Sequence, residues 1–271
     1  TGEQFVYYDQ RSGLSSDLIL NVNSDKSGNF WFGTYDKGLV KMTPNGQFSQ
    51  FELENNTVWT SLLDVDGINW FGTGFGLVAL QNNKVIKTYY YQDGAPGDKI
   101  TAFFKLNNTS FLVGGSEGIS IYSNGKFRRY TATESETIRD FCMLESKVYC
   151  ATDKGLFVLE GEDIKRIGKI ENTVYSLTKD NHDRLWIGTE DGLFIMEKGR
   201  IEPFSISKNQ AANLINFVEY HDEMVYVGTN NGLYVVHYQS GGESIITKYG
   251  LSDGVVDLET NMNSAFVDKK G

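Results

Sequence analysis

The chain has 271 residues, of which 40% are hydrophobic and 22% are charged, and its formal net charge is -10. This acidity, with no Lys/Arg cluster, argues against binding to nucleic acid or to an anionic membrane surface. No apolar stretch approaches the roughly 20 residues of a membrane helix, and residues 1–4 lack the features of a signal peptide, so the sequence predicts a soluble chain.

The first predicted structural unit covers residues 13–51. Residues 18–23 are expected to form an inner strand, 30–34 a second, 38–42 a third and 47–51 an outer fourth. Turn sequences at 25–29 and 44–46 separate them, with Gly and Asn where tight turns need them. The unit is therefore predicted to be a four-stranded antiparallel meander.

Six copies of one short pattern run along the chain. An apolar strand ends in Gly-Thr or a close variant, two or three turn residues follow, and Gly-Leu or Gly-Ile opens the next strand. The second glycines of the copies are Gly38, Gly76, Gly118, Gly155, Gly192 and Gly232. A period near 40 residues with several short strands per copy predicts an all-β fold, a β-propeller of four-stranded antiparallel blades.

The pattern itself has a structural interpretation. The first glycine is expected to leave room where neighbouring blades pack, and the second to take a positive φ. Large apolar pairs such as Trp31-Phe32 precede the first glycine. We interpret them as core on both faces of a buried strand rather than as a ladder for stacking sugars.

The pattern is incomplete at both ends of the sequence. Residues 5–8 resemble the outer strand of a preceding blade, and residues 250–271 the first strand of a following blade. We therefore expect a single domain over 1–271, with six complete blades in 13–249 and an incomplete seventh, as in a fragment of a seven-bladed propeller array.

Cys142 and Cys150 fall on neighbouring strands of one predicted hairpin centred near Ser146, where they could lie directly opposite each other. Cys150 takes the position that apolar residues occupy in the other copies. This favours buried free thiols over a disulfide, which stays the alternative.

The sequences at 13–16, 25–34 and 38–39 resemble the two-component regulator propeller repeat, and the likeness extends over the whole chain. The resemblance implies the periplasmic sensor region of a Bacteroidetes-type hybrid two-component system, in which two seven-bladed propellers precede an immunoglobulin-like domain, a membrane helix and a histidine kinase. It implies an oligosaccharide or other small ligand, contacts with the neighbouring propeller and immunoglobulin-like domain, and a possible homodimer. Nothing of the kinase is present, so no catalysis is expected in this chain.

Catalytic and metal-binding patterns are weak. His182, His221 and His237 occur one per unit without metal-ligand spacing, two in predicted turns and one at a strand end. The glycines at 72–76 superficially resemble a phosphate loop, but a strand follows where a helix is required. We therefore expect no metal, no cofactor and no catalytic residue.

Ligands of propellers usually meet the face formed by the loops between second and third strands and by the connections between blades. The longest connection, residues 92–99, is the best candidate for a special role. The candidate ligand-binding residues in the first set of loops are Tyr35, Lys37, Phe75, Glu117, Asp153, Lys154, Glu190, Asp191, Asn230 and Asn231. For each of them, the alternative is an ordinary hairpin tip.

Two other functional classes stay open. A propeller lyase or hydrolase would place His, Glu and Asp on the innermost strands, and segments such as 100–103 and 173–176 are poor in these residues. A scaffold for protein contacts would instead present an apolar face and a pore too narrow for a ligand.

Overall fold

The computed structural model describes residues 6–133, 135–207, 214–239, 242–254, 259–261 and 265–266. These residues contain 24 strands in six four-stranded sheets, and each sheet is an antiparallel meander in chain order. The predicted all-β propeller with four-stranded antiparallel blades is therefore confirmed. None of the described helices is long and apolar enough to cross a membrane.

The strands of blade 1 agree with the predicted boundaries to within one residue, and blades 2 and 3 repeat the same order of strands. Blade 1 contains β1 (Ile19–Ser24), β2 (Phe30–Thr34), β3 (Leu39–Met42) and β4 (Phe48–Phe51). Blade 2 contains β5 (Val58–Val65), β6 (Ile68–Thr73), β7 (Gly76–Gln81) and β8 (Lys84–Tyr89). Blade 3 contains β9 (Ile100–Lys105), β10 (Ser110–Gly115), β11 (Gly118–Ser123) and β12 (Lys126–Tyr130).

The remaining three blades repeat this order. Blade 4 contains β13 (Ile138–Leu144), β14 (Lys147–Thr152), β15 (Gly155–Glu160) and β16 (Asp163–Arg166). Blade 5 contains β17 (Val174–Lys179), β18 (Leu185–Thr189), β19 (Gly192–Glu197) and β20 (Arg200–Phe204). Blade 6 contains β21 (Ile215–His221), β22 (Met224–Thr229), β23 (Gly232–His237) and β24 (Ile245–Tyr249). Consecutive inner strands contact each other, so the blades follow one another around an axis.

The threonine of the repeat builds the turn between the second and third strands. Thr34 Oγ1 donates to the carbonyl of Gly38 (2.9 Å) and accepts the N–H of Lys37 (2.9 Å). The same two bonds recur at the turns of blades 2, 4, 5 and 6. The second glycine has a positive φ in all six blades, between 73° and 138°. The positive φ agrees with the prediction, and the role of the threonine is an additional finding.

The first glycine of the repeat lies where two blades meet. A methyl group on Gly33 would be 2.7 Å from the carbonyl oxygen of Val58 in the next blade, so only glycine allows this approach. The apolar pair before the glycine serves two interfaces. Trp186 packs in the core between blades 5 and 6, and Ile187 in the core between blades 4 and 5. The interpretation of the apolar pairs as core is thus confirmed.

An aspartate fixes two of the buried tryptophans from the turn between the first and second strands. Asp25 accepts a 2.9 Å bond from Trp31 Nε1, and Asp180 accepts one of the same length from Trp186 Nε1. Asp180 also binds the buried Arg184 through Nε at 2.6 Å. Burial alone would raise the pKa of Asp180, but the bonds from Trp186 and Arg184 hold it below its usual range.

The cysteine prediction is partly corrected. Both thiols are free and buried, as expected. The register pairs Cys142 with Tyr149 and Cys150 with Phe141, so the two cysteines do not lie opposite each other. They belong to different interblade cores, on the two faces of the sheet.

Part of the C-terminal sequence lies between blades 6 and 1. The N–H of Thr260 donates to Thr229 of blade 6 (3.2 Å), and Asn261 Nδ2 donates to the carbonyl of Ile19 in blade 1 (2.9 Å). Residues 6–8 are described without a strand, while residue 5 and residues 255–258, 262–264 and 267–271 lie outside the described part. The incomplete seventh blade and its terminal strands therefore stay a prediction.

Candidate functional site

Every inner strand has a β-bulge directly after its first residue. In blade 4, Ile138 pairs with Thr152 and Asp140 with Ala151, so Arg139 is the extra residue. The same irregularity occurs in all six blades. The bulge residues, which we call the bulge ring, are Leu20, Trp59, Thr101, Arg139, Tyr175 and Asn216. Because each follows a blade connection, the ring lies at the loop face, and bulges often aim side chains toward such sites.

Two cation–aromatic contacts lie at this face, one on Trp59 and one on Tyr175 of the bulge ring. Lys99 Nζ lies 3.6 Å from the ring centroid of Trp59, and the guanidinium of Arg139 lies 5.1 Å from that of Tyr175. Arg139 Nε donates to a carboxylate oxygen of Asp153. Burial and the nearby charge of Arg139 lower the pKa of Lys99, although Asp153 opposes the effect. The loop face therefore carries an aromatic and cationic row over blades 2 to 5.

Beside the bulge ring, the inner strands enclose a central channel with a cavity of about 200 Å³. Each of the six inner strands contributes to its wall, and Phe266 lines it between blades 6 and 1. Lining residues that carry polar groups are Asn21, Asn23, Thr60, Thr101, Arg139, Asp140, Ser176 and Glu219.

One of these polar residues ties neighbouring inner strands together. The carboxylate of Asp140 accepts the N–H of Phe141 in its own strand (2.7 Å) and that of Leu177 in the next blade (2.8 Å). Ser176 has the equivalent role one blade further, since its Oγ accepts the N–H of Val218 (3.2 Å). These two side chains therefore bind inner-strand amides, and each links its blade to the next one.

The channel also holds two carboxyl groups with raised pKa values, Asp140 and Glu219. Burial raises the pKa of Asp140 to about 7, against the opposing effect of its two amide bonds. Burial, and then the like charge of Asp140, raise the pKa of Glu219 to about 7. The inner strands are therefore richer in acidic groups than segments 100–103 and 173–176 suggested. The sequence analysis missed Asp140 and Glu219 because a bulge interrupts the alternation that would have assigned them to the channel.

The ten loop residues predicted from sequence all lie in the second-to-third-strand turns, or at their edges. Three have bonds near the bulge ring: Asp153 with Arg139, Glu190 with the N–H of Thr173 (3.2 Å), and Asn230 with Asn216 Nδ2 (3.0 Å). A common ligand site for all ten stays a prediction.

The other seven have more local surroundings. Tyr35 is exposed, and Phe75 lies 5.8 Å from the ring of Tyr90. Lys154 Nζ binds Glu136 at 3.1 Å, and Asp191 accepts a bond from Asn172. Lys37, Glu117 and Asn231 use their backbone N–H groups within or beside their turns.

The long connection at residues 92–99 packs against blade 3. Ala95 to Gly97 are buried, and Pro96 accepts the N–H of Glu117 at 3.1 Å. A side chain at Gly115 would collide with the carbonyl oxygen of Pro96, which explains why blade 3 has glycine where other blades have threonine. The connection ends at Lys99 and so positions this residue over Trp59.

The three histidines lie apart from the channel. His182 is in a turn, where its N–H donates to Asp180 (2.9 Å), and His237 ends β23. His221 was expected in a turn, but it is the last residue of β21. No group of three or more His, Cys, Asp and Glu residues that could hold a metal ion occurs in the described part of the chain.

One stretch of the chain matches a known protein family. Residues 168–191, which include β17 and β18, match the family model described as two component regulator propeller. The resemblance to the two component regulator propeller repeat is thus confirmed on this stretch of the chain. Curated proteins give no match to the chain.

Solved structures share the propeller fold at low sequence identity. One is the extracellular domain of a hybrid two component system of B. thetaiotaomicron, with 19% identity, a TM-score of 0.71 and coverage of 93% of this chain and 36% of that one. The extracellular domain of a second such system has 15% identity, a TM-score of 0.53 and coverage of 90% and 47%. A catalytically inactive variant of virginiamycin B lyase from Staphylococcus aureus with quinupristin has 16% identity, a TM-score of 0.72 and coverage of 90% and 87%. This chain thus spans less than half the length of the two extracellular domains.

Proposed function

We propose that this chain is the extracytoplasmic recognition module of a two-component signalling receptor and binds an oligosaccharide on its loop face. The observation that carries the proposal is the two component regulator propeller repeat at residues 168–191. Extracellular domains of two hybrid two component systems have the same fold, which supports a periplasmic location. In this proposal the kinase lies outside the chain, and the partners are a neighbouring propeller, an immunoglobulin-like domain and a second receptor copy.

The loop face offers the chemistry that sugars require. Trp59 and Tyr175 are aromatic residues of the bulge ring, and Phe75 is half exposed beside Tyr90. Aromatic faces stack on the apolar faces of sugar rings, while surrounding polar groups fix their hydroxyls. A receptor dimer would then respond to the ligand if two arrangements of the propellers bind it with different affinity.

A second candidate function is a lyase or hydrolase. The observation that favours it is the pair of channel carboxyls, Asp140 and Glu219, whose pKa values near 7 would suit a general acid or base. Virginiamycin B lyase has the same fold. In that case, turnover of a bound substrate should depend on both carboxyls.

Calorimetry against a panel of plant, fungal and host oligosaccharides tests the proposal. We expect saturable binding without product formation, and loss of binding in Tyr175→Ala. The matched control is Ile86→Ala, an exposed apolar side chain on the outer strand β8. Product formation that Glu219→Gln abolishes would favour the enzyme. If neither this chain nor a longer sensor region bound any sugar, a scaffold role would replace the proposal.

A further inference from the structure

Two hydrogen-bond donors beside the bulge ring, at the loop-face end of the channel, have no acceptor in the part of the chain that the structure describes. Lys99 Nζ has no hydrogen-bond or ion-pair partner among the described residues, although it lies against the face of Trp59. The indole Nε1 of Trp59 is buried and also has no acceptor within the described part of the chain. Buried donors without acceptors are rare in folded proteins, so each such group calls for a reason.

The two cations of the row differ in their carboxylate partners among the described residues. Lys99 and Arg139 are close enough to influence each other, and Asp153 is the carboxylate that pairs with Arg139. Lys99 is thus a cation without a carboxylate partner among the described residues, in a chain whose net charge is -10. Such a cation in an acidic protein points to an anionic ligand at this spot.

The geometry also limits the kind of anion. Trp59 stands at one end of the row, next to Lys99, and Tyr175 at the other end, next to Arg139. The cations lie between two aromatic residues carried by blades 2 and 5. A sugar ring could stack on either aromatic face while its carboxylate accepts bonds from the cations and from the indole N–H.

We propose that Lys99, Arg139 and Trp59 form a carboxylate-binding subsite, so that the ligand of this propeller is an acidic oligosaccharide containing a uronic acid. The inference rests on the proposed recognition function and names its ligand class. It differs from what net charge alone indicates, because an acidic chain would be expected to avoid such ligands.

The test compares acidic trisaccharides with their neutral forms. Trigalacturonate, trimannuronate and triguluronate are titrated into the protein by calorimetry, each beside its methyl ester, which keeps the sugar but removes the charge. We expect at least one acid to bind about tenfold more tightly than its ester, as charge-assisted hydrogen bonds allow. That preference should weaken as salt is raised.

Three variants test whether the preference for the acid over its ester depends on Lys99 and Trp59. Lys99→Gln should remove most of the preference for the acid and leave the affinity for the ester within about twofold. Trp59→Phe keeps an aromatic side chain, although a smaller one, removes the indole N–H and should reduce the preference in part. Lys147→Gln makes the same charge change at the opposite end of blade 4 and should have no effect. Thermal unfolding of each variant checks that the fold is retained.

The outcomes separate this inference from the proposed function. Equal affinity for acids and esters, or a preference that survives Lys99→Gln in a folded variant, would overturn the carboxylate subsite. If neutral oligosaccharides bind and no acid binds better, the recognition function stands and the subsite is wrong. If no sugar of either kind binds, both proposals fail.

Discussion

Replacing Glu219 by glutamine should make the protein more stable at alkaline pH and leave its stability in acid nearly unchanged. Glu219 lines the channel with Asp140, and no hydrogen bond to its carboxylate occurs within the described residues. Glutamine has the same shape and cannot ionise. The substitution therefore removes the charge that burial disfavours without removing a described contact.

The magnitude follows from the two pKa values of Glu219. Burial and the charge of Asp140 raise its pKa from 4.5 to about 7 in the folded protein. At pH values between 4.5 and about 7, Glu219 keeps its proton in the folded protein and loses it in the unfolded chain. The stability that depends on this proton is therefore fully present below the unfolded pKa and is lost as the pH rises through about 7. Converted in full to free energy, this difference between the two pKa values corresponds to about 3 kcal/mol of lost stability at alkaline pH. Solvent in the channel screens the half-buried charge, so we expect about 1–2 kcal/mol.

Urea unfolding followed by tryptophan fluorescence at pH 4.5, 6, 7 and 8 measures this effect. The variant should match the native protein at pH 4.5 and exceed its free energy of unfolding at pH 8. Glu160→Gln, at the exposed end of β15, makes the same charge change and serves as the control. A constant difference between Glu219→Gln and the native protein at every pH would refute the account of the channel carboxyls.

Three further outcomes concern the fold. Asp180→Ala should lower the free energy of unfolding by about 3–5 kcal/mol in urea, because it leaves the buried Arg184 unpaired. Gly115→Thr restores the threonine of the repeat, yet it should lower the melting temperature by several degrees, because the new side chain meets Pro96; an unchanged melting temperature would contradict this. Burial raises the pKa values of both cysteines, so neither thiol should react with iodoacetamide at pH 8 until the chain unfolds; mass spectrometry of the folded protein would detect any labelling.

The repeat alone was enough to predict the blades. Its glycines meet two requirements of the repeat itself: the close approach of Gly33 to the next blade and the positive φ of Gly38. Strand boundaries in blade 1 agree with the prediction to within one residue. The sequence did not explain why blade 3 has Gly115 in place of the repeat threonine. The reason is a contact with Pro96, which belongs to the connection between blades 2 and 3.

The channel and its mouth could not be predicted in the same way. A strand with strict alternation would place Ile138 and Asp140 on one face and Arg139 on the other. The bulge breaks this alternation, so Arg139 and Asp140 both line the cavity although they are adjacent in sequence, and Arg139 also reaches Asp153 and Tyr175 at the loop face. One sequence signal could have indicated the bulge ring. Trp59, Arg139 and Tyr175 all follow the first residue of an inner strand, a position whose residue type differs from blade to blade.

The cations near the loop face therefore lie close to the acidic groups of the channel. Arg139 and Lys99 carry positive charge at the mouth, while Asp140 and Glu219 become negative in the channel as the pH rises through about 7. Ionisation of the channel pair repels an anion at the mouth, so binding of an acidic trisaccharide should weaken several-fold from pH 6 to pH 8. Calorimetry at both pH values should find a smaller change in Glu219→Gln, because one of the two charges is gone. An identical pH dependence in the native protein and this variant would show that the cations and the acidic groups of the channel act independently.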